Sequence, residues 1–273
     1  RLTGEEVIQW NNPGIFTVGF WPGGDRDGNP FVTNEITLQV AGYLNERIIR
    51  NYFNEIRKIK RRLTFPGVDE IIQKSEKKLL ANMQKSVGSY SSGSALIQDL
   101  QEARSILLEK HDGLFLNLID ELILKVRIFG FHFASIDIRQ HSDVHTKIWK
   151  SVLGAAWNSV TTDEERINLV LKSGQPQLED AELKKEADVF DVIKQIQNAY
   201  GTQACHRYVI SNCASVLNIV NVFQLARTIT AVDGQLLLDI VPLFESIEDL
   251  AHAGKVMSAL YQLTEYKTHL EGR

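Results

Sequence analysis

Residues 19–33 read GFWPGGDRDGNPFVT and connect a short apolar run to a long helical pattern. Between residues 21 and 30 the stretch contains three glycines and two prolines, which is typical of a tight loop of defined shape. Two aspartates, an arginine and an asparagine in the same loop are too many polar groups to bury without partners. We therefore predict a strand-to-helix loop at a functional site, with a rigid structural turn as the alternative.

Two familiar kinds of polar loop do not fit this stretch. It lacks the Gly-Lys-Ser/Thr ending of a phosphate-binding P-loop. Asp25, Asp27 and Asn29 match the first ligand positions of a calcium loop. However, Pro30 and Ile36 occupy the positions that would need the glycine and the bidentate glutamate, so a calcium loop is excluded.

Length and charge restrict the class of protein. The chain has 273 residues, enough for one large domain with a real core, and a formal net charge of −4, which predicts no nucleic-acid partner. No apolar run reaches the length of a membrane span, so no membrane association is expected. Cys205 and Cys213 do not form a disulfide framework, which favours a reducing, cytoplasmic location. Because the chain begins at Arg1, we interpret it as an excerpt of a longer protein.

Hydrophobic periodicity predicts four β-strands separated by helical segments. The strands are predicted at residues 15–20, 131–138, 206–210 and 237–241. Helices are predicted at residues 33–63, 68–85, 95–127 with a break near 112–113, 141–153, 161–171, 182–199, 214–228, from 246 onward and 255–270, and residues 1–10 are expected to end a helix. Gly130 is expected to be a C-cap, a capping box is predicted at residues 161–164, and Ser246 with Asp249 is expected to cap the helix that follows. This alternation implies parallel strands with helical crossovers, and the sequence allows either half of an eight-stranded barrel or an open sheet.

Three polar motifs follow three of these strands, where parallel α/β folds collect their sites. They are Trp21 with its loop, Arg139 and Glu245. A guanidinium binds a carboxylate or a phosphate bidentately, so Arg139 is the first candidate for an anionic ligand, with Asp137 expected to orient it. The alternatives are a structural salt bridge for Arg139 and, for Glu245, a contribution to capping the helix that begins at Ser246.

The motifs resemble those of one family. Residues 21–30, WPGGDRDGNP, resemble the WMGGDRDGNP segment of phosphoenolpyruvate carboxylases, from which Pro22 departs. Residues 136–140, IDIRQ, and 241–245, VPLFE, match two further motifs of that family in the same order. The resemblance covers nearly the whole chain. The family's TAHPTE, serine–aspartate and GRGG motifs do not occur in it, which indicates a central portion of such a protein.

The resemblance implies a fold and a reaction. The fold would be part of a helix-rich TIM-type (β/α)8 barrel, predominantly α-helical with about four short parallel strands, and residues 1–273 would form a single domain. The reaction would convert phosphoenolpyruvate and bicarbonate into oxaloacetate and phosphate, supplying the tricarboxylic acid cycle. The implied partners are phosphoenolpyruvate, bicarbonate, the remainder of the polypeptide and further copies in a homotetramer.

The resemblance also implies roles for individual residues. Arg139 would be catalytic and bind the substrate, Glu245 would bind Mg²⁺ or Mn²⁺, and Trp21 and Leu243 would line a dry pocket around carbon dioxide. The other expected substrate-binding residues belong to the loop and are Asp25, Arg26, Asp27 and Asn29.

Other interpretations remain open from the sequence. One is another phosphoenolpyruvate-using barrel enzyme, and the other is a non-catalytic helical scaffold. Because several family motifs are missing, we expect the isolated chain to lack carboxylase activity. His141 and His145 have a zinc-compatible spacing on a predicted helix, but exposed surface histidines are the expectation.

Overall fold

The computed structural model describes residues 16–271. The predicted helix end at residues 1–10 and the first residue of the predicted strand at 15–20 lie outside this range. The helices are α1 (Asn34–Lys60), α2 (Val68–Gln84), α3 (Gly93–Lys110), α4 (Leu116–Phe129), α5 (Ser142–Leu153), α6 (Ala155–Ser159), α7 (Asp163–Lys172), α8 (Ala181–Ala187), α9 (Val189–Tyr200), α10 (Val216–Thr230), α11 (Ile247–Gln262) and α12 (Thr264–Glu271), with a 3₁₀ turn at Thr202–Ala204.

Four short strands form one parallel sheet in the order β1-β2-β3-β4. They are β1 (Gly19–Phe20), β2 (Ser135–His141), β3 (Arg207–Ser211) and β4 (Asp239–Pro242). The prediction of a helix-rich α/β protein with four adjacent parallel strands is therefore confirmed. The sheet is open between β1 and β4, and closure into a barrel stays a prediction.

The strands alternate between a buried apolar face and a more exposed polar face. In β2, Ile136 and Ile138 are buried, whereas Asp137 and Arg139 are partly exposed. Parallel sheets are usually covered on both faces and their strands read as continuous apolar runs, so the polar face of this sheet departs from the usual pattern. The register aligns Arg139 with Val209, which places the same face of β3 beside it.

The described residues divide into two compact units. The first consists of residues 16–19 and 41–135 and is almost entirely helical. Its core is a cluster of buried aliphatic side chains with Tyr52 and Tyr90 among them. The hydroxyl of Tyr52 donates to the carbonyl of Gly130 at 2.7 Å, and Gly130 ends α4 with a φ of 51°, so the predicted C-cap at Gly130 is confirmed.

The second unit consists of residues 20–40 and 136–271 and carries the sheet, apart from the first residues of β1 and β2. Helices α5 and α9 cover its apolar face. The ring of Phe190 in α9 stacks on Tyr208 of β3 at 5.1 Å, and His145 of α5 meets the same ring edge-on. Helix α5 is joined to α10 by a hydrogen bond from Trp149 Nε1 to the carbonyl of Asn221, at 2.9 Å.

Several predicted boundaries were wrong by a few residues. The chain turns at residues 131–134, where Phe133 has a φ of 68°, so β2 begins only at Ser135. The single helix predicted at 182–199 is two helices that meet at Asp188. The capping box predicted at 161–164 is formed by Thr162 and Glu165, one residue later. The box at Ser246 and Asp249 is confirmed.

Within residues 16–271, no helix is both long enough and apolar enough to cross a bilayer.

Candidate functional site

The loop after β1 is attached to the end of β2 by main-chain hydrogen bonds. The amide of Arg26 donates to the carbonyl of Arg139 at 2.9 Å, and the amide of Arg139 donates to the carbonyl of Gly24 at 3.0 Å. Gly24 allows this approach, since a Cβ there would lie 2.2 Å from the carbonyl oxygen of Asp137. The loop thereby pairs Asp25 with Arg139 in a parallel bridge.

The guanidinium of Arg139 lies among three carboxylates. Its Nη2 donates to Asp27 Oδ2 at 3.0 Å and to Glu245 Oε1 at 3.1 Å. Nη1 lies 3.6 Å from Asp25 Oδ2, and the Arg139 side chain is 20% exposed. Three segments that are distant in sequence therefore meet at one cation, as the sequence predicted for the carboxyl ends of parallel strands.

Trp21 extends this cluster on its apolar side. The centre of its ring lies 5.6 Å from Cζ of Arg139, which is within the range of a cation–π contact. The Trp21 side chain is exposed, so it can cover the guanidinium and also face a ligand. Leu243 follows β4, where its amide donates to the carbonyl of Ile210 and its carbonyl accepts from the amide of Cys213.

Glu245 is fixed at both carboxylate oxygens. Oε1 accepts from Arg139, and Oε2 accepts from the backbone amide of Asn212 at 3.1 Å. The helix that follows is capped by Ser246 and Asp249 through their own hydrogen bonds. The contacts of the Glu245 side chain are therefore with the site, and the capping alternative does not account for them.

Arg26 lies apart from the other candidates because it points away from Arg139 into the interior. Its Nη2 donates to Asn34 Oδ1 at 2.6 Å and to Thr37 Oγ1 at 3.2 Å. Burial lowers the pKa of the guanidinium. The hydroxyl of Thr37 in turn donates to the carbonyl of Gly23 at 2.7 Å. Arg26 thus holds the loop to the start of α1, a role that the sequence analysis did not identify.

Asn29 is exposed and holds the turn of the loop. Its Oδ1 accepts from the main-chain amide of Phe31 at 3.1 Å, and its own main-chain amide donates to the carbonyl of Arg26. This is the local side chain-to-backbone bonding that asparagine commonly makes in turns.

The expected contact between Asp137 and Arg139 is replaced by another pair. Asp137 Oδ1 lies 2.9 Å from Nε of Arg207, which is its neighbour across the β2–β3 register. The two atoms are not aligned for a hydrogen bond, so the contact is an ion pair without one. The carboxylates that orient Arg139 come instead from the loop and from Glu245.

The prediction of two exposed histidines is wrong for His145. This side chain is 1% exposed and its Nε2 lies 2.7 Å from the hydroxyl of Tyr208, because its face of α5 packs on the sheet. Burial lowers the pKa of His145 to about 3. His141 is half-buried and accepts at Nδ1 from the amide of Asp143, which caps α5.

The family resemblance implies a divalent metal ion bound by Glu245. Within residues 16–271, no group of three or more histidine, cysteine, aspartate or glutamate side chains is arranged to hold a metal ion. Glu245 is the carboxylate that the sequence suggested, and its two oxygens already accept from Arg139 and Asn212. The described residues therefore do not form a closed metal site.

This geometry defines a helix-rich α/β protein with its candidate site at the carboxyl ends of parallel strands. A sequence model of the phosphoenolpyruvate carboxylase family matches residues 4–86 and 68–273, so the chain belongs to that family.

Curated relatives agree with this assignment. A protein named phosphoenolpyruvate carboxylase from Parasynechococcus marenigrum is 28% identical over 340 residues, covering 96% of this chain and 34% of the relative. Relatives of the same name from Trichormus variabilis and Chromobacterium violaceum are also 28% identical, covering 98% and 100% of this chain. The chain spans about a third of the length of these relatives.

Proposed function

We propose that this chain forms the substrate arginine region of a phosphoenolpyruvate carboxylase. In the reaction, bicarbonate attacks the phosphate of phosphoenolpyruvate and gives carboxyphosphate and the enolate of pyruvate. Carboxyphosphate then breaks down to carbon dioxide and phosphate, and the carbon dioxide adds to the enolate to give oxaloacetate. The observation that supports this proposal best is the meeting of three family motifs at Arg139, whose Nη2 bonds both Asp27 and Glu245.

Arg139 is the residue proposed to bind the anionic substrate. A guanidinium binds phosphate or carboxylate most strongly through two parallel N–H groups. In Arg139, Nε is buried and Nη2 already bonds two carboxylates, so a bidentate contact requires at least one acid to release it. Substrate binding is therefore an exchange of protein carboxylates for a substrate oxyanion.

The other candidate residues have supporting roles in the proposal. Trp21, and Leu243 after β4, would exclude water from the enolate and carboxyphosphate, which water would otherwise protonate or hydrolyse. Asp25 and Asp27 would orient Arg139 before substrate arrives. Glu245 is proposed as a ligand of Mg²⁺ or Mn²⁺ in the complete protein.

Several broader proposals follow from family membership. The chain would act with the remainder of its polypeptide as the central portion of one carboxylase barrel domain, in a cytoplasmic homotetramer that uses phosphoenolpyruvate and bicarbonate. The isolated chain would be inactive. A non-catalytic scaffold is the alternative for the isolated chain.

The direct test is production of oxaloacetate, measured with a coupled dehydrogenase. The complete protein that contains this chain should form oxaloacetate from phosphoenolpyruvate and bicarbonate with Mg²⁺, and the purified 273-residue chain should form none. An inactive complete protein would overturn the proposed function. Activity of the 273-residue chain would instead overturn the claim that it needs the rest of the polypeptide.

A further inference from the structure

The turn after β3 has an unusual backbone conformation at Asn212. Its φ is 50°, in the left-handed region that asparagine and glycine tolerate and that other residues enter at a cost. Two contacts surround this residue. Ser142 Oγ donates to the carbonyl of Asn212 at 2.7 Å, and the amide of Cys213 donates to the carbonyl of Leu243 at 3.2 Å.

This conformation directs the amide of Asn212 at Glu245. The N–H group donates to Glu245 Oε2 at 3.1 Å, while Oε1 accepts from Arg139 Nη2 at the same distance. The carboxylate thus lies between one main-chain donor and one guanidinium. A hydrogen bond to a charged acceptor is stronger than one between neutral groups. The bond from Asn212 therefore restricts the rotation of the Glu245 side chain, which is 41% exposed.

We propose that Asn212 is a positioning residue, whose left-handed backbone holds Glu245 against Arg139. Only the main-chain N–H reaches the carboxylate, so the side chain matters through the conformation that it permits. Replacing Asn212 with glycine should therefore keep the hydrogen bond to Glu245, whereas replacing it with alanine or valine should weaken that bond. The consequence for catalysis rests on the proposed function, while the effect on Glu245 and Arg139 does not.

The first test observes the guanidinium of Arg139 by ¹⁵N NMR in the 273-residue chain, with its signals assigned from Arg139→Lys. Hydrogen bonds from Nη2 to two carboxylates should slow rotation of the group and separate its Nη signals. Wild type and Asn212→Gly should show this pattern. In Asn212→Ala and Asn212→Val the left-handed state should be disfavoured by about five- to thirtyfold, so the signals should merge or broaden.

Several outcomes would overturn this proposal. Unchanged Arg139 signals in folded Asn212→Ala would show that the turn does not position Glu245. If the separate Nη signals of Arg139 are lost equally in Asn212→Gly and Asn212→Ala, the asparagine side chain itself acts on the site. If Asn212→Val does not fold, Asn212→Ala carries the comparison, and Glu245→Gln, which keeps an acceptor but removes the charge, should weaken the same signals.

The second test measures kcat/KM in the complete carboxylase. Asn212→Ala should lower kcat/KM several-fold in protein that is still folded at the assay temperature, because a loose Glu245 no longer orients Arg139, and Asn212→Gly should keep the wild-type value. Unchanged kcat/KM in Asn212→Ala would overturn the catalytic part of the proposal. A complete protein with no activity would refute the proposed function, and the NMR comparison would still decide the role of Asn212.

Discussion

At the scale of residues, the site is a single cation surrounded by more negative charge than it can neutralise. Arg139 contacts Asp25, Asp27 and Glu245, and these four side chains together carry a formal charge of −2. An incoming phosphate or carboxylate would be repelled by the acids unless they move or are neutralised. The position of each carboxylate therefore affects how readily Arg139 can bind an anion. The main-chain amide of Asn212 matters for the same reason, because it holds Glu245 in place.

His145 provides a prediction about pH. The folded chain keeps it neutral, since burial lowers its pKa to about 3 from 6.5. The unfolded chain binds a proton near pH 6.5, so the stability that depends on neutral His145 is complete above that pH and falls as pH drops toward 3. We expect wild type to lose about 1 kcal/mol more between pH 7 and 5.5 than His145→Gln does.

Urea unfolding at the two pH values measures this difference. His252 is exposed, so His252→Gln serves as the control and should keep the pH dependence of wild type. If His145→Gln shows the same pH dependence as wild type, the folded chain accommodates a charged His145 and its environment is not as described.

At the scale of elements, the loop after β1 is packed tightly on β2, because Gly24 lies against the main chain of Asp137. We expect Gly24→Ala to destabilise the chain by about 1–3 kcal/mol, since the added Cβ must push the loop away from β2. The same movement should disturb the Arg139 NMR signals, because it breaks the main-chain bonds between the loop and Arg139.

The matched control for this substitution is Gly174→Ala. A Cβ at Gly174 would meet no atom within 4 Å, so this variant should be as stable as wild type or slightly more stable. Thermal unfolding of the two variants gives the comparison. A Gly24→Ala variant as stable as Gly174→Ala would contradict the close packing of the loop on β2.

The sequence predicted most elements because they depend on local signals. The capping box at Ser246 and the glycine stop at Gly130 occur where periodicity and capping placed them. The pairing of side chains depends on register instead, which no local pattern contains. That is why Asp137 was assigned to Arg139 when its neighbour across the strands is Arg207.

The same limit applies to the site. Its three motifs were found because they follow strands, and the resemblance gave them roles. Arg26 anchors the loop because its side chain points away from Arg139, on the other side of the bridge between Asp25 and Arg139. The direction of each side chain could not be predicted from a loop in which acidic and basic residues alternate. Asn212 carried one weak signal, an asparagine directly after a strand, where left-handed turns are common.

At the scale of the whole molecule, the candidate site belongs to one unit. Arg139, its three acids and Trp21 all lie in residues 20–40 and 136–271, the unit that carries the parallel sheet. The chain corresponds to about a third of its relatives' length, so the proposed carboxylase would have to complete this site with residues from elsewhere in its polypeptide. The open edge at β4 is consistent with that proposal.

The central claim is that Arg139 binds the substrate anion, and Arg139→Lys in the complete carboxylase tests it most directly. Lysine keeps the charge but loses the planar fork. A lost charge-assisted contact should lower kcat/KM for phosphoenolpyruvate by about ten- to a hundredfold, with Tm nearly unchanged. The control is Arg207→Lys on the same sheet face, which should keep normal kcat/KM. If Arg139→Lys instead lowers Tm strongly while the folded enzyme keeps normal kcat/KM, Arg139 is a structural ion-pair residue and the account of the site is wrong.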